Sequence, residues 1–284
     1  MKIKLDDVSV NTEISGECYP LVLLHGAFCN THLWQPQAEL AKKLKLVAID
    51  LRGHGGTPCP VTARSYDRAR DVIQIMDSLN IDKAFFCGLS MGGPIAIQLA
   101  LDYPERCLGT VLLATGPGPA DRPLKATQEM KDNAQKEAQR LIDLGPVNYF
   151  YSTQTANAPG VKEFLEQPEQ RAFFERMLAH NKTEWLADWL RLHAIDVPPE
   201  MERLLSSSRI QRLHELDKPV LFMVGTLDQV FLPVADFFRE KIPHCEVEIV
   251  PGATHLINID SKDIVNSRIL QFVDAVMCGE MEGK

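Results

Sequence analysis

The sequence predicts an α/β fold: a mostly parallel sheet flanked by helices, with a helical lid inserted between two of its strands. Three observations carry this. Short apolar runs alternate with amphipathic stretches from Leu21 to Ala114, the pattern of strands buried on both faces and crossed over by helices. The alternation breaks at Gly116-Pro117-Gly118-Pro119 and resumes only at Pro219-Val220-Leu221-Phe222, whereas connections in compact domains run to about 4 to 6 residues. Between an apolar run and a helical one lies Gly88-Leu89-Ser90-Met91-Gly92, a strand turning sharply into a helix with a serine at the tip.

Taken in order, Lys2 to Leu5 and Val8 to Thr12 form a hairpin across Asp6-Asp7, which places an antiparallel edge on the sheet. Leu21 to Leu24 is a buried strand ending in the His25-Gly26 turn. Leu33, Trp34, Leu40 and Leu44 fall at helical spacing, and Leu46 to Ile49 is the next strand, running into Asp50-Leu51-Arg52-Gly53-His54-Gly55. A helix from Ala69 to Leu79, the strand ending at Ser90, its helix and the strand Gly109 to Ala114 continue the rhythm. The insertion is helical by pattern over Ala126 to Leu144, Pro168 to His180 and Thr183 to Leu192. Strands Val220 to Val224 and Glu246 to Val250 and a helix from Lys262 to Met277 close the chain before a polar tail. The expected division is a core of residues 1–118 and 217–284 and a lid of residues 119–216. A lid leaving from the end of a strand is expected over the sheet's carboxyl edge.

With 284 residues, 45% of them hydrophobic, the chain suffices for one large core carrying an insertion. A net charge of -8 argues against nucleic acid or an anionic membrane as partner. The seven cysteines are scattered without ligand or framework spacing, so neither a metal site nor disulfides are expected. The charged start Met1-Lys2-Ile3-Lys4 lacks the apolar core of a signal peptide, and a cytoplasmic protein, monomer or homodimer, is the expectation.

Ser90 is the candidate nucleophile. A hydroxyl attacks a carbonyl only when held clear of its backbone, beside a base, with donors ready for the developing oxyanion. Gly88 and Gly92 leave room at the crowded turn, and the helix beginning there aims its free N–H groups at the reacting carbonyl. His255 is the candidate base and Asp228 the acid that orients it, because each follows a strand of the resumed sheet, at the edge where ligands meet a parallel sheet. The backbone amides of Met91 and Ala27 are the candidate oxyanion donors. His25 and His54, in tight turns beside glycines, are assigned to bonds with the backbone, and Asp50 to a turn cap or a pair with Arg52. The remaining histidines, His193 among them, are assigned to solvent. Phe28, Tyr149, Trp185, Trp189 and Leu256 are candidates for the pocket wall, although aromatic residues at helical spacing more often pack a lid against a core.

Together His25-Gly26, Asp50-Leu51-Arg52-Gly53-His54-Gly55, Gly88-Leu89-Ser90-Met91-Gly92-Gly93, Gly225-Thr226-Leu227-Asp228 and Gly252-Ala253-Thr254-His255 resemble the α/β-hydrolase superfamily. Within it the core is similar to esterases, 3-oxoadipate enol-lactonases and pimeloyl carrier-protein methyl esterases. The order Ser90, Asp228, His255 follows the superfamily's order of nucleophile, acid and base. Ala253-Thr254 and Gly56-Thr57 depart from frequent family patterns without touching a reacting atom. The resemblance implies hydrolysis of a small-molecule ester or lactone without a cofactor. The same scaffold also serves carbon–carbon bond hydrolases, lyases and low-turnover small-molecule receptors.

Overall fold

A computed structural model of the protein describes residues 1–118 and 123–279. The expected lid boundary at residue 119 and most of the polar tail lie outside the described residues.

Eight strands form one sheet: β1 (Lys2–Lys4), β2 (Ser9–Ser15), β3 (Tyr19–Leu24), β4 (Leu44–Ile49), β5 (Ala84–Leu89), β6 (Cys107–Leu113), β7 (Val220–Gly225) and β8 (Cys245–Val250). Their order is β1-β2-β4-β3-β5-β6-β7-β8. β1 and β2 form the hairpin, β2 runs antiparallel to β4, and every later pairing is parallel. The chain steps from β3 outward to β4, then back across to β5 on the other side. That reversal opens a crevice between the carboxyl ends of β3 and β5, the place where an open parallel sheet takes its ligands. Register sets the two strand ends level, with Leu24 opposite Gly88.

The strands divide their side chains by the two-residue period between the two faces. Leu21, Leu23, Phe85 and Cys87 enter one apolar cluster, and Val22, Leu24, Ala84 and Phe86 enter the other. Two helices on the second face, α1 (Arg68–Ser78) and α2 (Gly92–Asp102), contribute Val72, Met76, Ile97 and Leu99. α1 is started by Asp67, whose carboxylate accepts from the Arg70 N–H at 3.1 Å.

Between β6 and β7 the described chain is helical: α3 (Gln128–Tyr151), α4 (Val161–Glu166), α5 (Pro168–Ala179), α6 (Thr183–Leu192) and α7 (Ser206–Arg212). Phe150, Phe164, Phe174, Leu186 and Trp189 join the first sheet face in one continuous cluster, so the insertion is packed onto the core. After β7 come α8 (Val234–Lys241), the short α9 (Ile257–Asp260) and α10 (Lys262–Met277). No helix of the described residues is long and apolar enough to cross a membrane.

Three local expectations are corrected. The stretch carrying Leu33, Trp34 and Leu40 is a run of 3-10 turns, Thr31–Lys42, with Pro36 inside it, and Leu44 already belongs to β4. Proline cannot donate to an α-helical ladder, which favours the tighter, irregular turns. α3 does not stop at Leu144: Gly145 adopts φ +73° and the helix resumes after a kink at Pro146 through to Tyr151. The short helices α4, α7 and α8 were not expected, being too brief for a periodic signal.

Candidate active site

Ser90 follows β5 directly and adopts φ +50°, a left-handed conformation that costs a side-chain-bearing residue on the order of 1–2 kcal/mol. Its surroundings hold it there. Ser90 N–H donates to Leu113 O at 3.0 Å, and its carbonyl accepts from Gly93 N–H at 3.0 Å and Thr115 Oγ1–H at 2.6 Å. A Cβ at Gly88 would lie 2.4 Å from Gly92 O, and one at Gly92 would lie 1.9 Å from Leu24 O. The glycines are therefore required by closeness of backbones, and that closeness lifts the serine clear of the turn.

The loop after β3 lies against Ser90, where a Cβ on Gly26 would be 3.3 Å from Ser90 Cβ. His25, fully buried, fixes this loop. Its Nδ1–H donates to Gly26 O at 2.7 Å, while Nε2 accepts from Leu51 N–H at 3.0 Å. Burial pushes its pKa down to about 4, so the ring is neutral with both nitrogens occupied, as its assignment to the backbone anticipated. His54 is likewise buried, with Nδ1 at 3.1 Å from Arg52 O. Ala27 and Met91 both line the cavity with Ser90, and neither backbone N–H donates to another group among the described residues.

Asp228 is completely buried in the loop after β7. Its Oδ2 accepts from His255 Nδ1–H at 2.7 Å, and its Oδ1 accepts from Phe231 N–H at 3.2 Å. The loop carrying His255 is pinned by Asp260, which accepts from Thr254 N–H at 2.8 Å. The imidazole stacks on Phe231 with ring centroids 5.3 Å apart and planes 20° apart. Phe231 and Ser90 line the same cavity. The Ser90 hydroxyl forms no hydrogen bond with His255 in this structure; such contacts often tighten only when substrate binds.

The cavity, about 620 Å³, lies between the sheet's carboxyl edge and the insertion. Of the five candidate wall residues only Trp189 lines it. Phe28 instead packs at 5.6 Å from Phe150 and 5.4 Å from Trp189. Tyr149 turns its hydroxyl to Glu137 at 3.0 Å, Trp185 lies 5.9 Å beneath Lys2 Nζ, and Leu256 is buried in the core. Their aromatic and apolar bulk joins insertion to core. His193, assigned to solvent, sits at the cavity wall, exposed, with its ring 4.8 Å from Trp189. Arg68, Gln98, Arg209 and Phe231 also line the cavity, and none carried a periodic or motif signal. Asp50 caps its turns, accepting from Thr31 N–H and Gly56 N–H at 2.7 Å each, and Arg52 pairs elsewhere, with Asp71 and Asp7. Burial pushes the Cys29 thiol up to about 12, which leaves no thiolate in the loop after β3.

A strained serine at a strand-to-helix turn, and a partly exposed histidine bonded to a buried carboxylate, stand on loops that follow strands of one α/β sheet. Residues 19–262 match the model of the alpha/beta hydrolase fold, and the chain belongs to this family and is a hydrolase. It is similar to 3-oxoadipate enol-lactonase 2 of Acinetobacter baylyi, with 29% identity over 95% of this chain and 94% of that one. It is also similar to a putative 2-succinyl-6-hydroxy-2,4-cyclohexadiene-1-carboxylate synthase of Bacillus subtilis, with 26% identity over 90% of each chain. A thermophilic esterase from Thermogutta terrifontis superposes with a TM-score of 0.76 at 24% identity, covering 97% of this chain and 98% of that one, a likeness of fold.

Proposed function

We propose that the protein hydrolyses a small-molecule carboxylic ester or lactone through an acyl-enzyme on Ser90. His255 removes the Ser90 proton as the oxygen attacks the carbonyl, and Asp228 holds the ring in its tautomer and stabilises the imidazolium. The Ala27 and Met91 amides receive the oxyanion. His255 then returns the proton to the leaving oxygen, and water repeats the sequence to release the acid. The helical insertion serves as a lid over the site.

The observation that carries this reading is the 2.7 Å bond from His255 Nδ1–H to buried Asp228, with the imidazole stacked on Phe231, which lines the same cavity as Ser90 at φ +50°. The similarity to an enol-lactonase supports the substrate class. A fluorophosphonate label followed by peptide mass spectrometry tests it, with modification expected at Ser90 alone. A panel of p-nitrophenyl esters and lactones is expected to give turnover with an acyl-enzyme burst. Absence of both label and turnover would overturn the proposal.

A further inference from the structure

We propose that the substrate carries a carboxylate and that Arg68 binds it in the cavity while the ester or lactone carbonyl lies at Ser90. This rests on Ser90 being the nucleophile.

Three features of the cavity lead there. First, its charge opposes that of the chain. Among the described residues the wall presents two guanidinium groups, Arg68 and Arg209, and no Asp or Glu, in a protein of net charge -8.

Second, the two arginines differ. Arg209 is 7% exposed and is built into the wall: Nε donates to Pro117 O at 2.7 Å and Nη1 to Gln98 Oε1 at 3.3 Å and to Leu204 O. Arg68 has no hydrogen-bond or ion-pair partner among the described residues, and its Nε is buried without an acceptor. The acids nearby in sequence are engaged by other cations. Asp71 accepts from Arg52 and Arg64 at 2.6 and 2.8 Å, and Asp67 accepts from Arg203 at 2.9 Å. Burial lowers the Arg68 pKa, with nothing bonded to it in compensation. Arg68 is partly exposed and lines the cavity. A desolvated charge with no partner is strongly unfavourable; an anion from the ligand supplies the partner.

Third, the remainder of the wall selects the kind of anion. Ile95, Leu204, Leu205 and Phe231 are apolar, and the polar Gln98 and Thr115 donate to Asp102 and to Ser90 O, so the site offers one free planar fork in a largely apolar space. A guanidinium fork matches a planar carboxylate through two parallel N–H···O bonds. A phosphate dianion would call for a further set of free donors, and the Arg209 guanidinium is already committed to the wall.

The test compares the half p-nitrophenyl ester of glutaric acid with the p-nitrophenyl ester of pentanoic acid, in the wild type, Arg68→Gln and Arg68→Lys. The readout is the ratio of the two kcat/KM values, which a general loss of activity does not move. The wild type is expected to favour the acid ester by roughly 10- to 100-fold, the scale of a hydrogen bond to a charged group. Arg68→Gln should abolish that preference, chiefly through KM, and Arg68→Lys should restore part of it. A wild-type ratio near unity, or a preference that survives Arg68→Gln, overturns the carboxylate assignment. Labelling of Ser90 by the fluorophosphonate in the same preparations separates the two readings: a labelled Ser90 with no acid preference leaves the nucleophile standing and removes Arg68.

Discussion

Gly160, at the start of α4 in the insertion, accepts through its carbonyl the backbone N–H of His255 at 3.2 Å. Its own N–H donates to Glu163 Oε2 at 2.5 Å, its φ is +88°, and a Cβ there would lie 2.9 Å from Asp228 Cα. The insertion therefore touches the acid and the histidine at one residue. Gly160→Ala combines left-handed strain with a backbone collision. It is expected to lower kcat/KM on a p-nitrophenyl ester about 10-fold or more and stability by about 1–2 kcal/mol. Unchanged kinetics would remove Gly160 as the residue that positions His255.

Ser90→Ala is expected to abolish ester turnover and fluorophosphonate labelling with little change in the urea midpoint, because the Ser90 backbone contacts remain. Asp228→Asn keeps the loop's shape and loses the negative charge opposite His255 Nδ1. Turnover should fall by roughly 10³- to 10⁴-fold. An Asp228→Asn enzyme retaining more than a tenth of wild-type kcat would point to another acid.

Stability should decline as the solution is acidified below neutrality. The His25 pKa is depressed from 6.5 to about 4 by burial, and that of His54 is pushed down for the same first reason. The unfolded chain therefore takes up these protons first. The contribution is complete above pH 6.5 and is lost between 6.5 and about 4, up to roughly 3 kcal/mol from His25. Urea unfolding at pH 7 and pH 5 should show a lower free energy at pH 5. An NMR titration should show the His25 ring remaining neutral down to about pH 5, and protonation near 6.5 would contradict this account.

Arg52 is 1% exposed and joins Asp71 at 2.6 Å and Asp7 at 2.7 Å. Removing one member of a buried pair strands the others, at a cost of about 3 kcal/mol. Arg52→Ala should lower the unfolding free energy by that amount. Adding Asp71→Asn should recover part of it, and strict additivity of the two losses would show that they do not interact.

Much of this was legible along the chain because it depends on local sequence. Gly88, Ser90 and Gly92 stand within five residues, and the apolar runs of β3, β5, β6 and β7 are continuous because both faces of those strands are covered. Helix starts and stops agreed where the period was long, as in α6 and α10, and failed at Pro36 and Gly145, where one residue's backbone chemistry outweighed the pattern, and at α4, too short to carry one. The aromatics of the insertion could be counted in advance, but their side of the helix could not be told. Of the three aromatic candidates there, Tyr149 and Trp185 went into packing and Trp189 reached the cavity.

By itself the sequence determined the kind of chain this is: an alternating α/β core, one long helical interruption, and a serine between glycines at the end of a strand. These follow from periodicity and backbone sterics, which act over a few residues. Only the tertiary structure decided that His255 and Asp228 meet at 2.7 Å, that Gly160 from the insertion rests on both, and that Arg68 is left without an acid. Those facts depend on which strands lie side by side and on which carboxylates other arginines have already taken. Pairings between groups far apart in the chain are fixed by topology and competition in space, and no local pattern encodes them.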